Sequence, residues 1–179
     1  MNLSDIRFPR QLEADDTAEA VRKALMAHTV KLWPGGDLDV ARIAMDDPLK
    51  EALRMARLQG RLQFGFETVS DRLADESKGI ENVRRRGGAP YGDRVSRLLL
   101  FSNDGAERFY RHVESLLQAH APRLLGCLLD IDGIALGSAL TGKEAHIKLV
   151  MAEHKDAVSA ILRTMIAGQG MSYGTDMDQ

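Results

Sequence analysis

Ala56-Arg57-Leu58-Gln59-Gly60-Arg61-Leu62-Gln63-Phe64-Gly65-Phe66-Glu67-Thr68-Val69 is the stretch that decides the fold. Just upstream, Asp46 and Asp47 precede Pro48, a helix start with a capping carboxylate and Pro in the first turn. Leu49, Ala52, Leu53 and Ala56 then form one apolar stripe, and Gly60 ends the helix. From Arg61 to Phe64 polar and apolar residues alternate as in a short strand. Gly65 opens a second helix through Val69 and Leu73. Helix, strand and helix in such quick succession indicate an α/β protein.

Downstream, Leu98 to Phe101 is an unbroken apolar run between polar residues, the form of a strand buried on both faces of a sheet. Asn103 or Asp104 is placed to cap the next helix, which Phe109, Val113, Leu116 and Leu117 line as far as Pro122. Leu124 to Leu129 repeats the buried-strand pattern. Asp132 to Leu140 fits either a hairpin arm or a short helix, because its small residues satisfy both periods. A strand at Ile147 to Met151 and a helix from His154 to Ile166 complete the series. The expected fold is α/β: a three-layer α/β/α sandwich with a small mixed sheet, plus an N-terminal helical extension.

Outside residues 48–167 the pattern changes. In residues 1–47, Thr17 is placed to cap a helix carrying Ala18, Val21 and Leu25, and Trp33-Pro34-Gly35-Gly36 reads as a turn into the main domain. Residues 75–93 lose apolar periodicity and read as a basic loop insert holding Arg84, Arg85 and Arg86. Residues 168–179 read as a polar tail.

The 179 residues suit one domain with an extension, and an apolar fraction of 44% with 28% charged residues is that of a folded globular chain. No apolar run approaches the ~20 residues needed to cross a bilayer, and the N-terminus lacks the apolar core of a signal peptide, so the expected location is the cytoplasm without membrane contact. Cys127 is the only cysteine and sits in the apolar run Leu124–Leu129, where it reads as a buried thiol. The net charge of -2 argues against coating nucleic acid by charge alone. Residues 48–97 nevertheless carry +4, while the segments before and after each carry -3.

Catalytic signals are thin. His112 and His120 lack an acidic partner at zinc-ligand spacing, and His146 and His154 flank a strand, so no metal is expected. Asp130 and Asp132 stand at a strand end, where α/β enzymes often keep carboxylates, which leaves a small enzyme as one alternative. Gly133–Gly137 and Thr141-Gly142-Lys143 lack the spacing of a phosphate-cradling loop. No cofactor is expected.

The run Ala56–Val69, the strand and helix start at Leu98–Ala106, and Leu136-Gly137-Ser138-Ala139-Leu140-Thr141-Gly142-Lys143, in that order, resemble the kink-turn RNA-binding superfamily of ribosomal proteins (L-seven-Ae and L-thirty-e type). Most similar are the bacterial YlxQ-like proteins and the related domain fused behind YlxR. The resemblance covers residues 48–167 and favours a short helix at Asp132–Leu140. It implies a non-enzymatic protein that binds structured RNA in ribosome-related or transcription-termination machinery. RNA would meet the helix start at Gly65, Phe66, Glu67 and Thr68 and the loop Ile131, Asp132 and Gly133, where free backbone N–H groups face the ligand. Arg57, Arg61 and the guanidinium cluster Arg84, Arg85 and Arg86 would supply positive charge, with Arg94 and Arg97 extending it. Where the ribosomal members start this helix with Gly-x-Asn-Glu and a Lys one turn in, this chain has Glu67, Thr68 and Asp71. A protein-interaction domain that kept the fold without the RNA contacts is therefore a further alternative. Residues 1–47 are either a degenerate YlxR remnant or unrelated to it.

Overall fold

The computed structural model describes residues 2–88 and 93–167. Among these, the strands are β1 (Thr29–Val30), β2 (Val40–Ile43), β3 (Leu62–Phe64), β4 (Arg97–Phe101), β5 (Leu124–Leu129) and β6 (Leu149–Ala152). The helices are α1 (Arg10–Ala14), α2 (Ala18–Met26), α3 (Asp47–Leu58), α4 (Phe66–Arg85), α5 (Glu107–Ala119), α6 (Gly133–Thr141) and α7 (Lys155–Ala167). The strands form one mixed sheet in the order β1-β2-β5-β4-β6-β3, with β2, β5 and β4 parallel and β6 antiparallel to both β4 and β3.

β4 shows why its sequence is continuously apolar. Successive side chains of a strand point to opposite faces: Leu98 and Leu100 enter one hydrophobic cluster, Leu99 and Phe101 the other. β6 divides the same way, Val150 and Ala152 against Leu149 and Met151. One cluster packs under α1, α2, α3, α6 and α7, the other under α4 and α5. The result is the three-layer α/β sandwich that the order of elements implies. Cys127 lies between Ala41 of β2 and Leu100 of β4, fully buried, and desolvation pushes its thiol up to about 12.

Residues 1–47 carry the expected helix, α2, and in addition supply α1, β1 and β2, so that β2 extends the parallel register of β5. Ile6, Phe8, Leu12, Val21 and Leu25 share the core cluster of Leu98, Leu100, Val158 and Ile161. Thr17 does not cap α2 with its side chain; its hydroxyl donates to the Leu12 carbonyl at 3.1 Å. The Trp33–Gly36 turn forms as expected, with Gly36 N–H donating to the Trp33 carbonyl at 2.9 Å. Leu32 and Leu38 pack with α5, and Trp33 Nε1 and the Asp37 and Leu38 amides all donate to the buried Glu114 carboxylate.

The insert is corrected. Residues 75–85 are not a loop but the second half of α4, which runs without a break to Arg85. Apolar periodicity stops at Leu73 because α4 leaves the core there. Ion pairs and a hydrogen bond hold the rest: Glu76 receives both Arg97 (2.9 Å) and Arg123 (3.0 Å), and Ser77 meets His120 at 3.2 Å. Arg84-Arg85-Arg86-Gly87-Gly88 is the helix stop. Gly87, at φ 74°, donates to the Arg84 carbonyl and Gly88 to that of Val83, the paired bonds of a Schellman cap, with basic residues at the negative end of the dipole. Residues 89–92 of the expected loop, and the tail 168–179, lie outside the described residues.

Because Phe8 and Leu12 are completely buried and β2 covers one side of β5, deleting residues 1–43 should abolish cooperative unfolding. Thermal melting of the truncated chain, with dye binding to exposed apolar surface, checks this. A truncated chain that melts like the full one would show that residues 44–179 fold without the segment before them.

Candidate nucleic-acid interface

β2, β5, β4 and β3 all run in one direction, and each is followed by a helix, so α3, α4, α5 and α6 all start at the same edge of the sheet. Ligand crevices of open α/β sheets lie at this carboxyl edge. α3 and α6 start over one face, α4 and α5 over the other.

The two faces treat their helix starts differently. Asp46 accepts from the Leu49 amide at 3.0 Å, and Asp132 from that of Ala135 at 2.7 Å, so α3 and α6 are capped by carboxylates. Asp104, expected to cap α5, instead accepts from Ser102 Oγ (2.7 Å) and from the Gly133 amide at the start of α6 (3.1 Å). The Ser102 hydrogen bond holds its carboxyl below the usual range, with the Gly133 amide adding to the effect. α5 starts at Ala106 and α4 at Gly65, neither with a side-chain cap. Gly65 has φ 85° and ψ 150°, a conformation essentially reserved for glycine.

The two segments expected to meet RNA are brought together at this edge. Gly65 N–H donates to the Leu149 carbonyl, Ile147 N–H to that of Gly133, and Asn103 N–H to that of Ile131, so the lead-in to β6 ties them to one rim. Three strand spacings, about 14 Å, separate β3 from β5. Gly65, Glu67, Thr68 and Asp132 are exposed, Phe66 and Ile131 half-buried, and Gly133 buried against the His146 ring. Ile134, in the first turn of α6, is exposed.

The expected cations are not at this rim. Arg57 is in the last turn of α3, which Gly60 stops at φ 69° with the same paired cap as Gly87. Arg61 precedes β3 at its far end and faces Asp156 at 3.9 Å. Arg84, Arg85 and Arg86 lie one full α4 away from Gly65, about 30 Å at ~1.5 Å per residue. Arg94 is held by Glu13 and the Phe8 carbonyl, and Arg97 by Glu76. These arginines therefore occupy the amino edge, and the expected site divides into two separate surfaces.

Cations that sequence reading passed over stand on α5. Arg108, Arg111 and His112, together with Glu107, line an open hollow of about 460 Å³. The His112 ring lies 5.8 Å from that of Phe66, which places the hollow beside the start of α4. Arg111 stacks over Trp33 at 4.5 Å. The only sequence signal for this group is a spacing of three and four residues on the polar side of an amphipathic helix, indistinguishable from an ordinary solvated face.

Asp130 and Asp132, the residues of the enzyme alternative, are both engaged. Arg42 Nη2 donates to Asp130 at 2.8 Å and Asn103 Nδ2 at 3.2 Å, and chiefly the Arg42 bond holds that carboxyl below the usual carboxylate range. Asp132 caps its helix. Among the described residues no cluster of His, Cys, Asp and Glu is arranged to hold a metal ion, and no helix is long and apolar enough to cross a membrane. No protein-family model and no curated protein matches the chain.

Asn tolerates the left-handed conformation at a helix stop but not the extended positive-φ conformation of Gly65. A Cβ at either Gly60 or Gly65 would meet nothing within 4 Å, so backbone strain alone sets the cost. Gly60→Asn should cost about 1 kcal/mol or less and Gly65→Asn about 1–3 kcal/mol. Equilibrium denaturation of the two variants measures the difference.

Proposed function

We propose that the protein is a non-enzymatic, cytoplasmic binder of structured RNA, of the kink-turn ribosomal-protein type that its motifs resemble. The observation that carries the reading is the start of α4. Gly65 admits close backbone approach, no side chain caps the helix, and the amides of Phe66, Glu67 and Thr68 open onto the same rim as Ile131–Gly133. Free N–H groups at the positive end of a helix dipole suit a phosphate. Glycine and the half-buried Phe66 and Ile131 suit a nucleotide turned out of its stack. The engagement of Asp130 and Asp132 in an ion pair and a helix cap supports binding over catalysis. A setting in the ribosome or in transcription termination follows from the resemblance alone.

A protein-interaction reading has one observation in its favour. Leu58 is 76% and Met55 45% exposed, one turn apart at the end of α3 and away from the rim. That pair gives the protein-interaction reading its apolar anchor.

Thr68→Asp separates RNA binding from stability, because the two respond in opposite directions. A carboxylate in the first turn of α4 interacts favourably with the dipole by about 0.3–1 kcal/mol, so the melting temperature should hold or rise. The same charge faces an incoming phosphate and should weaken retention of a randomised-sequence RNA pool by about tenfold. Failure of the unaltered protein to retain any of the pool at low salt would leave the protein-interaction reading in possession.

A further inference from the structure

The rim around Gly65 has the geometry for RNA but few cations, and Arg84–Arg86 are too far away to serve it. Lys148, which precedes the Leu149 whose carbonyl takes the Gly65 amide, stands at the rim itself, and α5 adds a cluster of cations beside it, where the His112 ring meets Phe66. The Arg108 side chain is exposed and has no ion-pair or hydrogen-bond partner among the described residues. Arg111 is pinned between the Trp33 ring and Glu107, with just over half of its side chain still exposed. Trp33 is itself fixed, its Nε1 donating to the buried Glu114 at 2.8 Å. His112 is exposed and next to Phe66. A guanidinium without a partner, a second set over an indole and an imidazole next to a benzene ring thus lie along one face of α5. The hollow is open to solvent along one side of α5, with a volume of about 460 Å³.

This combination is selective in its chemistry. Guanidinium groups pair with phosphate oxygens and stack on bases, and aromatic planes take unpaired bases of any sequence. An acidic peptide would use the cations but not the ring planes. Glu107 opposes a diffuse anion, and its pairing with Arg111 offsets that charge for a phosphate placed at Arg108.

Resting on the RNA-binding reading, we propose that the hollow on α5 takes one unpaired nucleotide of the bound RNA. Its phosphate pairs with Arg108 and its base lies against the His112 ring beside Phe66. The RNA then leaves the start of α4 across α5, rather than along α4 toward Arg84–Arg86.

The test uses the full chain and the randomised-sequence RNA pool. Arg108→Glu removes no contact within the protein and places a carboxylate in the first turn of α5, so its melting temperature should match or exceed that of the unaltered protein. Its affinity for the pool should fall at least about tenfold, and the slope of log affinity against log salt should shrink by about 0.7 to 0.9, one phosphate contact. His112→Leu, which keeps apolar bulk but removes the ring the base lies against, should weaken binding several-fold with little change in slope. Arg86→Glu, the same charge change at the far end of α4, should stay within about twofold. If the unaltered protein binds the pool and Arg108→Glu binds equally well, or if Arg86→Glu loses as much, the α5 hollow is not the nucleotide site while the RNA-binding reading stands. If the unaltered protein binds no RNA, both fall together.

Discussion

Burial of β4 on both of its faces is the constraint on which the other elements depend. Leu98 and Leu100 need a helical layer on one side, and Leu99 and Phe101 need one on the other. A strand in that position cannot stand at an edge, so β5 and β6 must flank it, and they do so with opposite directions. The parallel partner β5 is extended by β2, which comes from the first 47 residues. The antiparallel partner β6 is followed by β3, whose end releases the chain at Gly65 into α4. Every helix start at the carboxyl edge follows from these directions. The candidate interface is therefore a consequence of sheet topology before it is a matter of particular side chains.

The sequence discloses the layers far better than it discloses the site. Apolar strand runs and helix stripes are statements about burial, and burial decides position in the sandwich, so α3, β3, β4, α5, β5 and α7 could all be read directly. The short helix α6 was ambiguous because Gly133, Gly137 and Ala139 leave almost no amphipathic signal, and the resemblance favoured the helix. β1 and β2 were missed because two- and four-residue strands beside a Trp-Pro-Gly-Gly turn carry no period of their own. The second half of α4 was missed for a different reason: past Leu73 it is held by Glu76 to Arg97 and Arg123, partners 21 and 47 residues away in the chain, and no local pattern can announce such pairs. The run of three arginines before two glycines read as a flexible binding cluster, although basic residues followed by glycine also end a helix. Without the preceding helix in view, the two meanings look alike.

Charge along the chain misled in a similar way. The excess of +4 in residues 48–97 is real, but it is dispersed by the fold. Arg94 and Arg97 are held by Glu13 and Glu76, and Arg57 and Arg84–Arg86 collect at helix C-termini, where the macrodipole attracts them. Acidic groups are distributed by the same rule. Asp46 and Asp132 settle on the starts of α3 and α6, and Asp104 on the Gly133 amide. Helix dipoles thus sort the charges into an amino edge rich in arginine and a carboxyl edge rich in aspartate. Linear charge counts see neither edge.

That sorting leaves one asymmetry which it does not explain. Four helices start at the carboxyl edge, and on the face of α3 and α6 each start is closed by a carboxylate. On the face of α4 and α5, Gly65 and Ala106 close nothing, although Asp104 is only two residues from Ala106 and has the right chemistry. Asp104 turns instead toward Ser102 and α6. Capping α5 would satisfy a local hydrogen bond and would place a negative charge between the two open helix starts. Leaving it out keeps the start of α5 uncapped beside the uncapped start of α4, next to Arg108, Arg111 and His112. Unsatisfied helix amides cost stability unless water or a ligand takes them. A fold that caps one pair of helices and leaves the adjacent pair open concentrates its remaining hydrogen-bonding capacity on a single face.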